Sequence, residues 1–317
     1  MVDWAGVAPS PQSHRFVRIG RSTRDGVHMQ KLTASNITDV VLSRFGEAAN
    51  ERFREILTSA LRHLHDFVRE VRLTPEEWKA GIDFLVAAGH ITDDKRNEFI
   101  LLSDTLGVSA LVDLLSHARQ PAGATDSSLL GPFYRDGVPE MPNGASIARG
   151  TPGETVVVRG LVIGAGGGPV AGAGLDVWQA APNGLYDLQD ESQPDLNMRG
   201  KFRTDSSGRF EFRSLKPLSY PVPHDGPAGE LLLAQGRHPY RPAHIHFIVT
   251  APGYEALTTA LYIAGDPYID SDAVFGAKDS LTVHYKKSQA GQGDNSRATG
   301  EPDFIEFNFN LVPTRRL

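Results

Sequence analysis

The hydrophobic pattern of this chain changes period near Pro121, and that change limits the folds open to it. Before Pro121, apolar residues recur every three or four positions, as in Val41, Phe45, Phe53, Ile56, Leu57, Leu61, Leu64 and Phe67. This spacing lays one apolar stripe along a helix. TPEEW is a helix start, with Thr74 as N-cap, Pro75 in the first turn and Glu77 three residues after the cap. That helix is expected to end near Gly89. Two more helical segments, TDDKRNEFILLSDTLG and VSALVDLLSHAR, are separated near Gly107. Residues 35–120 thus read as a helical domain of four or five helices. Their apolar stripes are numerous for so small a unit, which favours pairing across a dimer over a self-contained bundle. Residues 1–34 lack sustained periodicity and read as a tail, with Met29 as an alternative start. Residues 121–150, rich in Gly, Pro and Ser, read as a linker.

Beyond the linker the period falls to two. TVVVRGLVI runs into the turn GAGGGPVAG and returns as AGLDVWQA. KFRTD and RFEFRSL flank SSG as a hairpin, HIHFIVTAPGYEALTTALYIAG supplies two more strands, and PDFIEFNFNLV closes the sheet. Short strands with Gly and Pro punctuation predict an antiparallel β-sandwich over residues 151–317. The expected fold is α+β, a helical domain followed by a β-sandwich.

Composition narrows the chemistry. The chain of 317 residues has 32 basic and 38 acidic side chains, which is not the basic footprint of a nucleic-acid binder. No run of about 18 apolar residues predicts a membrane span. The first residues lack the pattern of a signal peptide, so a cytoplasmic protein is expected. There is no cysteine, so disulfides, thiolate-bound zinc, iron–sulfur clusters and thiol nucleophiles are excluded. Any metal must be held by His, Tyr, Asp or Glu, and 11 His and 8 Tyr are available.

RPAHIHFIV, residues 241–249, carries the strongest chemical signal. In a strand, His244 and His246 point to one face. An isolated His-x-His is either a half-exposed strand or half of a metal site. The apolar flanks Phe247, Ile248 and Val249 indicate a strand entering the core, where protonated imidazoles are costly and a metal gives them a purpose. A cupin or facial triad would place an acid shortly after, but Ile248, Val249 and Thr250 follow. More distant ligands are needed. Tyr186 in NGLYD and Tyr220 in the proline-rich LSYPVP stand out, although spacing alone does not prefer them to Tyr240, Tyr254, Tyr262 or Tyr268.

NGLYD, LSYPVP, GRHPYRPAHIHF and LTTALYIAGDPY, in this order, resemble the intradiol ring-cleaving dioxygenases, and among them the catechol and hydroxyquinol 1,2-dioxygenase group. The resemblance runs from the helical domain to the C-terminus. It implies iron(III) held by Tyr186, Tyr220, His244 and His246, with two phenolates and a hydroxide balancing the metal charge. It implies that Tyr220 leaves the metal and takes a phenolic proton from substrate, and that Arg241 stabilises negative charge developing on the ring. For the pocket it implies Phe99, Leu101 and Asp104 on one wall, Leu129, Leu130, Gly131 and Pro132 on a second, and Val222, Pro223 and Val274 on the others. Asp104 would accept a bond from a third ring hydroxyl, which catechol lacks. The implied reaction is cleavage of hydroxyquinol by O2 to 3-hydroxymuconate, which tautomerises to maleylacetate. Catechol or chlorocatechol is the alternative substrate. A metal-free β-sandwich binding module and a zinc hydrolase are readings from other classes.

One position departs from the pattern: Ala260 stands where catechol members have Gln. The resemblance also implies a homodimer through the helical domain, and a phospholipid bound there. GAGGG, residues 164–168, reads as a hairpin turn, since no helix follows it to form a dinucleotide loop. Asp266, Asp270 and Asp272 are spaced somewhat like a calcium loop but lack its Gly and terminal Glu.

Overall fold

In a computed structural model, residues 31–45, 50–287 and 302–314 are described. Met29 and most of the expected tail lie outside them. The chain divides into two compact units, with the boundary between Asp83 and Phe84. The helices are α1 (Ile37–Ser43), α2 (Glu51–Val71), α3 (Pro75–Ile91), α4 (Glu98–Thr105) and α5 (Val108–His117). The division falls within α3, so α4 and α5 belong to the unit that holds the sheets.

Local sequence explains the helix ends. Asn50 caps α2 by accepting from the Phe53 N–H. Thr74 and Glu77 form a reciprocal capping box at the start of α3, with bonds of 2.9 and 3.2 Å. Gly107, at φ 73°, takes the left-handed turn between α4 and α5 that other residues resist. No residue of α2 is buried, and Leu57, Leu64, Phe67, Val68 and Val71 are exposed along it.

The strands are β1 (Thr155–Ile163), β2 (Gly174–Trp178), β3 (Arg199–Arg203), β4 (Arg209–Leu215), β5 (Tyr220–Pro221), β6 (Tyr240–Arg241), β7 (His244–Thr250), β8 (Leu257–Ile263), β9 (Thr282–Val283), β10 (Asp303–Glu306) and β11 (Phe309–Asn310). One sheet runs β3-β2-β7-β8-β9. In the other, β1 pairs with β4, β10 and β11. Phe202, Phe212, Phe247 and Phe309 are among the aromatic residues of the core that joins them. The sheets are mixed rather than wholly antiparallel: β10 and β11 run parallel to β1, and β9 parallel to β8.

Two expected strand pairs part company. β3 pairs with β2, whereas β4 pairs with β1 in the other sheet. The turn between them is an arch across the sandwich, and it stacks Phe202 on Phe212 at 5.1 Å. Facing apolar sides gain more from this packing than from a ladder that leaves one face wet. GAGGG does turn the chain tightly, with Ile163 bridged to Pro169, but the chain then crosses to the second sheet as β2. A sixth helix, α6 (Pro227–Ala234), starts on Pro227 and was not expected from the sequence.

Candidate active site

β7 is the central strand of its sheet and is nearly all buried. Its neighbours in register with His246 are Trp178 on β2 and Ala260 on β8. The Trp178 ring stacks on His246 at 4.9 Å and 4°. Tyr220 does not sit in an irregular loop, because β5 pairs it with Arg241 of β6. Tyr186 follows a turn at Gly184, φ 81°, and stacks on Phe133 at 4.6 Å.

These elements bring the four expected ligands together. The Tyr186 and Tyr220 hydroxyls are 3.0 Å apart, Tyr220 Oη is 3.3 Å from His244 Nε2, and His244 Nε2 is 3.1 Å from His246 Nε2. All four side chains are buried. His244 Nδ1 lies 2.7 Å from the Pro242 carbonyl, an acceptor, so Nδ1 carries the proton and Nε2 presents its lone pair. Tyr220 Oη, Arg241 Nη1 and His246 Nε2 crowd around that one lone pair. Hydrogen bonds alone give poor reason for this convergence. Metal–ligand bonds of ~2.0–2.2 Å give donor–donor edges of about 2.8–3.6 Å, the range seen here. Among the described residues, no group of three or more His, Asp or Glu is arranged to hold a metal. The donor set is instead two phenols and two imidazoles.

Electrostatics agree with this fit. Burial, then the Arg241 charge, holds the His244 imidazolium well below its usual range; burial and then His244 do the same for His246. Both rings therefore stay neutral, as ligands must. Burial pushes the Tyr186 hydroxyl well up, with Tyr220 adding to the shift, and burial also raises Tyr220. Ionising either phenol in so dry a place requires a nearby cation.

Several supporting residues escaped the sequence reading. Asp187, next to Tyr186, accepts two bonds from Arg199 at 2.7 and 2.6 Å and one from Arg135 at 2.6 Å. Asp266 accepts from Ser219 Oγ and from the Ala243 N–H, so one carboxylate fixes the residues preceding Tyr220 and His244. Asp272 pairs with Arg241 at 3.1 Å. The calcium-like spacing of Asp266 and Asp272 was the only signal for these two. At Ala260 a fully buried methyl lies beside His246, whose Nδ1 has no hydrogen-bond partner.

The expected pocket residues divide. Leu101, Leu129, Val222 and Val274 pack in one buried cluster. A cavity of about 410 Å3 is lined by Leu101, Pro132, Val222 and Pro223, together with Phe133 and Arg96. Gly131, at φ 72°, passes close to the His246 ring. Asp104 is buried in α4; burial raises its carboxyl, while Ser109 and the Arg241 charge oppose the rise. Phe99 and Leu130 are 44% and 41% exposed and belong to neither the cluster nor the lining of that cavity.

The dioxygenase family model matches residues 129–313, and the catechol dioxygenase N-terminal model matches residues 50–125. The chain belongs to the intradiol ring-cleavage dioxygenases. It is 47% identical over 286 residues to the 6-chlorohydroxyquinol 1,2-dioxygenase of Cupriavidus pinatubonensis, covering 90% of this chain and 100% of the relative. It is 46% identical to the hydroxyquinol 1,2-dioxygenase of a Rhizobium species, over 84% of this chain and 90% of that one. The crystal structure of hydroxyquinol 1,2-dioxygenase from Pseudomonas putida superposes with a TM-score of 0.81 at 46% identity, covering 88% of this chain and 98% of that one. The dioxygenase is thus an oxidoreductase. No single helix among its described residues is long and apolar enough to cross a membrane.

Proposed function

We propose that this dioxygenase holds ferric iron through Tyr186, Tyr220, His244 and His246 and opens hydroxyquinol between its adjacent hydroxyls. The observation that carries the metal reading is the convergence of the four donor atoms, edge to edge at 3.0–3.3 Å. When bound, iron(III) would draw the ring's two adjacent oxygens to it and make the ring reactive toward O2. Both oxygen atoms of O2 enter the product, one ring carbon–carbon bond breaks, and 3-hydroxymuconate results, the enol form of maleylacetate.

The side chains have distinct tasks. Tyr220 accepts a substrate proton at Oη, which its burial makes strongly basic once ionised. Tyr186 and His244 stay in place, the first under Phe133 and the second on the Pro242 carbonyl. Arg241 directs Nη1 toward the donor cluster, where it stabilises charge developing on the ring. Leu101, Leu129, Val222 and Val274 wall the ring and exclude water, and buried Asp104 accepts from the third hydroxyl. The identity to hydroxyquinol and chlorohydroxyquinol enzymes supports the triol as substrate. The exposed apolar residues on α2 in the first unit, and separately Leu111, Val112, Leu114 and Leu115 on α5 in the second, support faces covered in a homodimer, with a phospholipid acyl chain as a further occupant.

The test is oxygen uptake by the iron-loaded chain with hydroxyquinol and with catechol. Stoichiometric O2 consumption with a ring-opened dicarboxylate is expected, with higher kcat/KM for the triol. Absence of ring opening with either substrate would defeat the proposal.

A further inference from the structure

The Arg241 guanidinium has two edges, and the structure divides them. Nη1 faces His244 Nε2 at 3.1 Å. The other edge is held by Asp272, with Nε on Oδ1 at 3.1 Å and Nη2 on Oδ2 at 3.3 Å. Nη2 also reaches the Tyr262 hydroxyl at 3.2 Å, which bonds in turn to Ser128 Oγ at 2.8 Å. Arg241 and Asp272 are both buried, so the paired geometry is not loosened by water.

The same carboxylate shapes the loop that follows it. Asp272 Oδ1 accepts from the Val274 N–H at 3.3 Å, and Oδ2 accepts from the N–H groups of Gly276 and Ala277 at 3.0 and 3.1 Å. Between them Phe275 takes φ 59°, a left-handed conformation that a bulky residue adopts only when its surroundings impose it. A Cβ on Gly276 would lie 2.8 Å from Tyr262 Oη and 2.9 Å from Arg241 Nη2, so the loop backbone rests directly on the ion pair. Arg237 holds the loop from another direction, joining the Thr105 carbonyl at the end of α4 to the Ala273 carbonyl at 2.6 and 2.9 Å.

We propose that Asp272, anchored by its own loop, is a positioning residue that selects which edge of Arg241 faces the reacting ring. This rests on the dioxygenase reading above. A carboxylate present only to neutralise a buried arginine would need neither the bonds to three loop amides nor the glycine packed on the pair. With Asn at 272, one atom becomes a donor. That atom loses its bond to Arg241 and to the amides it served, so the guanidinium is held by one bond instead of two and is free to turn.

The test compares the iron-loaded wild type with Asp272→Asn, Arg241→Gln and the double variant. In Asp272→Asn the visible iron–tyrosinate band and the hydroxyquinol Kd from anaerobic titration of that band stay at wild-type values, while kcat falls about 10- to 100-fold. The loss appears in kcat because the arginine acts on charge present only in the transition state. In the Arg241→Gln background, Asp272→Asn adds no further loss, since both act through one group. An unchanged kcat, an undiminished effect in the Arg241→Gln background, or loss of the band would each overturn the proposal. Should Asp272→Asn not accumulate, Asp272→Glu, which keeps the charge but displaces it, is measured the same way with the same expectation for kcat. A wild type that opens no diol defeats the dioxygenase reading itself. An active wild type with an indifferent Asp272→Asn defeats only this inference.

Discussion

Replacing Asp187 by Asn leaves a charge stranded beneath the active site. The Asp187 and Arg199 side chains are each 1% exposed, and Arg199 spends two N–H bonds on one carboxylate oxygen. Arg135 is 30% exposed on the same carboxylate and can turn to water when the partner is lost. Arg199 cannot. Breaking a buried pair from one side costs about 3–5 kcal/mol. For a unit of roughly 150–250 residues each kcal/mol is worth ~2–4 °C, so Tm should fall by about 6–20 °C. Calorimetry of the iron-free protein at neutral pH measures this directly. The control is Asp187→Leu with Arg199→Met, which removes both charges and should recover most of the loss. A melting point within ~2 °C of wild type for Asp187→Asn would refute the reasoning, and so would a double variant no more stable than the single. The pH dependence follows the same pair. Burial raises the Asp187 carboxyl, but Arg199 and Arg135 outweigh it and hold the group below its usual value. A depressed folded value means that the contribution is present above the unfolded carboxyl range of about 3.9 and is lost as pH falls through the folded value. Asp187→Asn should therefore flatten the acid limb of the stability curve.

Asp104→Ala removes the acceptor proposed for the third hydroxyl. The ratio of kcat/KM for hydroxyquinol over catechol should drop by at least about tenfold, the worth of a lost bond to a buried polar partner; an unchanged ratio would show that Asp104 does not read that hydroxyl. Gly131→Ala meets no clash, since its Cβ would stand 3.7 Å from the His246 ring, but it forces a side chain into φ 72°. The expected cost is ~1–2 kcal/mol of stability, seen as a lower Tm with the metal ligands retained.

Much of the fold was legible because period is a local property. The Thr74 box, the break at Gly107 and the alternation of β4 are each written within a few residues. Strand partnership is not local. RTDSSGRFE reads as a hairpin, yet burying Phe202 against Phe212 sends its two arms to opposite sheets. The parallel pairing of β10 with β1 joins residues far apart in sequence, which no turn signal records. At the site, His244 and His246 announced themselves by spacing, whereas the tyrosines needed the family pattern. Nothing in PVPHDGPAG shows that Tyr220 pairs with Arg241 across β5 and β6. The carboxylates beside the proposed ligands were the least visible. Asp187, Asp266 and Asp272 act through arginines and backbone amides brought near by the sandwich, and an acid in a loop looks the same in sequence whether it faces water or a buried guanidinium.

In the proposed site, two phenolates and two imidazoles hold one ferric ion. Ferric iron bound to tyrosinate absorbs broadly in the visible, and its band reports the oxygens around the metal. One iron per chain, a visible band that shifts when hydroxyquinol is added without O2, and a weakened band in Tyr220→Phe and in Tyr186→Phe are the predicted results. A colourless protein after loading with iron, or a band untouched by either substitution, would contradict it.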